Sequence, residues 1–130
     1  MKTSFRFLGV VTLGILGSLT LPVSGAQGSY KLLKEIPVGG EGGWDYLEVD
    51  PAARRLYVSH ATKVEVIDLD KEAVVGEIAD TPGVHGIAVA SKLGLGFTSN
   101  GRENKASVFD LKTLKTSSKV ETGANPDAIL

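Results

Sequence analysis

No cysteine occurs anywhere in the chain. That excludes a disulfide framework, a thiolate-held metal, a thiol nucleophile and a lipid anchor on cysteine. Histidine occurs only as His60 and His85, and tryptophan only as Trp44. There is no His-x-x-x-His and no Gly-x-Ser-x-Gly, so zincin and α/β-hydrolase chemistry have no motif to stand on. Gly39-Gly40-Glu41-Gly42-Gly43 is glycine-rich but lacks the Lys-Ser/Thr of a phosphate-binding loop. Asp68-Leu69-Asp70-Lys71 lacks the later Gly and Glu of an EF-hand loop. An excess of positive charge is also missing: 14 basic residues face 15 acidic ones, for a net charge of −1. That argues against a broad nucleic-acid surface.

No apolar run reaches the roughly 20 residues a membrane helix needs. The longest, Phe7–Leu21, is short and carries Gly9, Gly14, Gly17 and Ser18. It follows a start charged by Lys2 and Arg6 and precedes Pro22 and the small residues Ser24, Gly25 and Ala26. Charged start, apolar middle and small-residue end describe a secretory signal peptide over residues 1–26, cleaved after Ala26 or after Gly25; an uncleaved anchor is the alternative. Cleavage predicts an exported protein, periplasmic or extracellular, with no membrane contact afterwards. Removing Lys2 and Arg6 leaves 12 basic against 15 acidic residues.

What the chain has in quantity is glycine, 16 residues, set between short apolar runs. The runs repeat. Ile36, Ile78 and Val120 recur at intervals of 42, as do Asp68-Leu69 and Asp110-Leu111. Tyr57-Val58-Ser59-His60 matches Phe97-Thr98-Ser99-Asn100 at an interval of 40. Gly43-Trp44-Asp45-Tyr46-Leu47 matches Gly83-Val84-His85-Gly86-Ile87 and then Asn125-Pro126-Asp127-Ala128-Ile129. The change of interval has one location, since the connector from His60 to Val64 is two residues shorter than that from Asn100 to Ala106. Insertions belong in exposed loops, which supports this alignment.

Each unit holds four runs rich in β-branched or aromatic residues: 45–49, 55–59, 63–68 and 73–78, then 86–90, 95–99, 106–110 and 115–120. The connectors carry turn residues such as Asp50-Pro51 and Asn100-Gly101. Four strands in about 42 residues is the spacing of a β-propeller blade. The predicted fold is all-β, with four-stranded antiparallel blades over residues 27–130. Residues 30–38 read as a closing fourth strand, 43–78 as blade 1, 83–120 as blade 2 and 125–130 as the start of blade 3. About two and a half blades cannot close a ring of four to eight. The expectation is therefore the first part of a longer propeller, with closure by oligomerisation as the alternative.

Tyr57-Val58-Ser59, Val66-Ile67-Asp68-Leu69 and Val74-Val75-Gly76-Glu77-Ile78 resemble the repeat of the YVTN β-propeller family. So do Phe97-Thr98-Ser99-Asn100-Gly101, Val108-Phe109-Asp110-Leu111 and Gly123-Ala124-Asn125-Pro126-Asp127. The resemblance runs over residues 30–130. It implies an exported, soluble or cell-surface propeller, of about seven blades when complete. Binding of single-stranded nucleic acid, ascribed to a periplasmic member, gains little here from a net acidic chain with one tryptophan.

Blade topology brings the loops after strands 2 and 4 to one face, where strand 1 begins beside the central channel. Asp45, His85 and Asp127 are expected to ring the channel mouth there. His60, Asn100 and Arg102 fall in the strand 2–3 loops, and Trp44 and Glu41 in a strand 4–1 loop. Each has a plainer reading. The recurring Asp45, His85 and Asp127 could cap turns or bond neighbouring backbone. Asn100-Gly101 fits a turn, Trp44 fits packing between blades, and Arg102 an exposed loop. Asp68 and Asp110 are expected to close turns on the opposite face.

The expected function is a binding or scaffold module taking a protein, glycan or small ligand on that face, with no cofactor required. The first alternative is a hydrolase of the lactonase-propeller kind, holding a divalent cation through Asp45, His85, Asp127 and Asn100. The second is a structural repeat protein of the cell surface.

Overall fold

Runs of β-branched residues that end on Asp, Asn or Gly fold as a meander of short strands. The computed structural model describes residues 30–130, so the leader assigned to residues 1–26 lies outside the described residues. Leu33–Leu130 form one compact unit; Tyr30–Leu32 are exposed and without regular structure. The strands are β1 (Trp44–Asp50), β2 (Arg55–His60), β3 (Lys63–Asp68) and β4 (Ala73–Ile78), then β5 (Val84–Ala90), β6 (Leu95–Asn100), β7 (Lys105–Asp110) and β8 (Thr116–Glu121). Two 3-10 turns, Ser91–Leu93 and Gly101–Glu103, are the only helical elements among the described residues. No helix among these residues is long and apolar enough to cross a membrane.

The strands pair in sequence order into two four-stranded antiparallel sheets, β1-β2-β3-β4 and β5-β6-β7-β8. The two registers match. In β1 against β2, Trp44 faces His60 and Leu47 faces Val58, so β1 carries one extra residue. In β5 against β6, Val84 faces Asn100 and Ile87 faces Thr98, the same bulge at the equivalent place. A second repeated irregularity lies on β4 and β8, between Gly76 and Val74 and between Ser118 and Thr116.

The core lies where the two sheets face each other. Tyr57, Val64, Val66 and Ile78 of the first meet Val84, Ile87 and Phe109 of the second, with Val89, Leu111 and Leu114 packed against them. The rings of Tyr57 and Phe109 sit 6.1 Å apart at 49°, a tilted pair. Arg55 ties the sheets by donating to the Leu111 carbonyl at 2.6 Å. Thr98, Asn100 and Ser107 make a buried polar patch in the second sheet, where the Asn100 amide joins Thr98, Ser107 and Glu103 at 2.7–2.8 Å. Lys119 holds the same Glu103 at 2.8 Å and reaches Asp80 at 3.0 Å. Burial works against the charge of Lys119, but the Glu103 and Asp80 carboxylates outweigh it and raise its pKa.

The turns on the far side use one device three times. Asp50 accepts from the backbone N–H groups of Ala52 and Ala53 at 3.0 and 3.1 Å. Asp68 does the same for Asp70 and Lys71, and Asp110 for Lys112 and Thr113. The N–H of Lys71 holds the Asp68 carboxyl below its ordinary pKa, and the N–H and hydroxyl of Thr113 do so for Asp110. These are the turn closures that the sequence assigns to Asp68 and Asp110.

Two expected strands are not formed. Residues 30–38 carry no strand, because no third strand lies beside them to complete a ladder; Lys34 pairs instead with Glu72 at the β3–β4 turn. Residues 125–130 also carry none, although Gly86 N–H donates to the Asp127 carbonyl at 3.1 Å. A single such bond aligns the segment with β5 without making a ladder.

Two outcomes follow from this packing. Phe109 is fully buried between the sheets, so Phe109→Ala should lower the unfolding free energy by about 3–5 kcal/mol in urea denaturation. Asp110 has a folded pKa below its unfolded one, so its stabilisation is complete above the usual carboxylate range and is lost as pH falls through the folded value. Asp110→Ala should therefore be less stable than the parent at neutral pH, and the gap should narrow below roughly pH 4. A gap that stays constant across that range would contradict it.

Candidate functional site

The bulges in β1 and β5 build the site. A bulged residue loses its ladder partner and its neighbour is re-aimed. In the first sheet Ser59 replaces the missing partner: Tyr46 N–H donates to Ser59 Oγ at 2.6 Å, and the Ser59 hydroxyl donates to the Tyr46 carbonyl at 3.2 Å. In the second, Gly86 N–H donates to Ser99 Oγ at 2.8 Å, and the Ser99 hydroxyl donates to the Asp127 carbonyl. Each serine thus fixes the residue just after Asp45 or His85. Ser99 also fixes Asp127 itself.

Held this way, Asp45, His85 and Asp127 come together, as the repeat alignment expects. His85 Nδ1–H donates to Asp45 Oδ2 at 2.6 Å, and Asp127 Oδ1 stands 3.8 Å from the same nitrogen. The facing carboxylates accept only, which places the hydrogen on Nδ1. The other ring nitrogen packs on Gly101, where a Cβ would fall 2.8 Å from Nε2 and 2.6 Å from Asn125 Oδ1. Gly101 leaves the space that the imidazole occupies.

Beside Asp45 and His85 opens a cleft of about 490 Å³, lined also by Trp44, Arg102 and Asn125, with Gly42, Gly43 and Gly83 in its walls. Trp44 is half exposed. Its covered face stacks on His60, ring centres 3.7 Å apart and planes 8° from parallel. Arg102 is exposed and makes no ion pair with any of the described residues.

Two expected site residues are elsewhere. His60 is 2% exposed, closing β2 under Trp44 rather than standing in a loop. A Cβ on Gly40 would fall 2.5 Å from its Cε1. Neither of its ring nitrogens has a hydrogen-bond partner; Glu65 lies 3.9 Å away and is held by Lys63 at 2.7 Å. Asn100 is fully buried with its amide spent inside the second sheet, so it cannot join Asp45, His85 and Asp127 as a ligand. The corresponding turn takes its left-handed residue at Asn104, with φ of 56°, and not at Gly101. Trp44 packs within its own blade, neither between blades nor wholly free. Sequence reasoning missed Asn125 and the two serines. The signal for the serines was in view, since Ser59 and Ser99 recur at an interval of 40.

No family model matches the chain, and no curated protein matches it. Solved structures do. The chain is similar to Kuenenia stuttgartiensis hydrazine synthase, with TM-score 0.60 and 20% identity over 63% of this chain and 24% of that one. It is similar to apo AztD from Citrobacter koseri, with TM-score 0.58 and 22% identity over 67% of this chain and 25% of that one. The β-propeller domain of Cps50 (Swd1) from Myceliophteria thermophila gives TM-score 0.60 and 13% identity over 68% and 29%. The chain thus spans about a quarter of the length of the structures it matches, and the likeness is one of fold.

Removing one serine hydroxyl should loosen its bulge. Ser59→Ala and Ser99→Ala should each cost about 1–3 kcal/mol in denaturant unfolding. Ser99→Ala should cost more, because Ser99 holds two segments. Equal, negligible costs would remove the serines from the site's support. Among the described residues the fold is all-β, and the two four-stranded sheets are blades of a β-propeller.

Proposed function

We propose that this chain belongs to an exported β-propeller, of the kind the YVTN repeat describes, that binds a small polar ligand or glycan in the cleft between its first two blades. One observation carries the reading: the open face of Trp44 shares a cleft of about 490 Å³ with Asp45, His85, Arg102 and Asn125. A flat aromatic face with convergent hydrogen-bonding groups suits sugar rings and other small polar molecules. Stacking on His60 fixes the indole before any ligand arrives, so little side-chain freedom is lost on binding. The Arg102 guanidinium favours a ligand carrying a carboxylate or phosphate. Export rests on the charged, apolar and small-residue order of residues 1–26. The net negative charge and the single aromatic platform disfavour a nucleic-acid strand.

Trp44 is the only tryptophan, so its fluorescence reports the cleft alone. Titration with a library of neutral and acidic sugars should change Trp44 emission for at least one class, and Arg102→Ala should weaken that ligand by about tenfold. A ligand that binds with unchanged emission, and as tightly to Trp44→Ala, would place binding elsewhere.

A further inference from the structure

Asp45, His85 and Asp127 occupy one position in three successive repeats, and one ligand atom from each lies within 4.8 Å of the others. We propose that these residues bind a divalent transition cation of the zinc type, beside the cleft that Asp45 and His85 line. The proposal rests on the reading of this face as the binding face, and adds a metal to it.

Three observations support the cation. The first is charge. Two carboxylates converge on one imidazole, and neither has a lysine or arginine partner among the described residues. A divalent cation would balance both. The second is spacing. Ligand atoms around a tetrahedral zinc stand about 3.3 Å apart. The observed separations of 2.6 and 3.8 Å from His85 Nδ1 bracket that value. All three ligand atoms lie within 4.8 Å of one another, and the side chains are partly exposed, so rotamer adjustment can bring them onto one centre. The third is the donor set. One imidazole nitrogen with two carboxylate oxygens suits zinc and its neighbours, whereas calcium prefers six to eight oxygens. Asp45 and Asp127 are 41% and 68% exposed, so a fourth position would open to water or to the ligand in the cleft. Coordination through Nδ1 would move the ring hydrogen from Nδ1 to Nε2, leaving a neutral imidazole as the ligand.

The test uses zinc alone. Calorimetric titration of the chain with zinc chloride at neutral pH should give one equivalent bound, with no heat from calcium chloride. His85→Ala should abolish binding, and Asp127→Asn should weaken it by at least about tenfold. Asp127 is largely exposed, and its carboxylate stands 3.8 Å from His85 Nδ1, beyond hydrogen-bond reach, so that variant should keep the parent's thermal unfolding. No zinc binding by the parent, binding unchanged in Asp127→Asn, or tighter binding of calcium would overturn the proposal. Failure of zinc to bind, with a sugar still altering Trp44 emission, would overturn the cation alone. Zinc binding with no sugar response would leave the cation and overturn the ligand reading.

Discussion

A serine hydroxyl at the end of the second strand holds the bulge of the first, and it does so in both blades. Without it, the part-buried Tyr46 amide would lose its serine acceptor, and Gly86 N–H would keep only the Asp127 carbonyl at 3.1 Å. With it, the innermost strand can turn one residue out of its ladder. The residue turned out is Asp45 in one blade and His85 in the next. The same device in the second blade reaches across to the Asp127 carbonyl, so the segment that follows β8 is placed by it as well.

The blade interface depends on the same geometry. The Asp45–His85 hydrogen bond links the two blades at the face, while Tyr57, Val84, Ile87 and Phe109 pack deeper between them. Below, the aspartate-closed turns at Asp50, Asp68 and Asp110 hold the opposite edge. The blades are joined by Asp45–His85 at one face, by the Arg55 donation to the Leu111 carbonyl, and by apolar burial between them. This leaves the loops of one face free to vary in sequence while the strands beneath them repeat. Arg102 sits in the loop that is two residues longer in the second blade, on one wall of the cleft.

Much of this was legible in the sequence because the repeat is in register. Intervals of 40 and 42 located all eight strands to within a residue or two, and they gave Asp45, His85 and Asp127 one shared position in the repeat. Burial was not legible. His60 and Asn100 align as polar ends of equivalent strands, which suits exposed loop residues. Their environments depend on what lies above: Trp44 and Gly40 over His60, and the Thr98–Ser107–Glu103 network around Asn100. The Trp44–His60 and Asn100–Ser107 contacts join side chains across strands, and periodicity carries no information about them. The missing strand over residues 30–38 has a similar cause, since β-rich composition does not supply a neighbour to pair with.

The central claim is that Ser59 and Ser99 replace ladder bonds for Tyr46 and Gly86. Amide hydrogen exchange followed by NMR tests it at those two residues. If the hydroxyls hold the bulges, the Tyr46 and Gly86 amides should exchange as slowly as the ladder amides of Val58 and Thr98. Exchange as fast as that of the Glu41–Gly43 loop would show that the bulges are open, and would remove the physical basis for the site built on them.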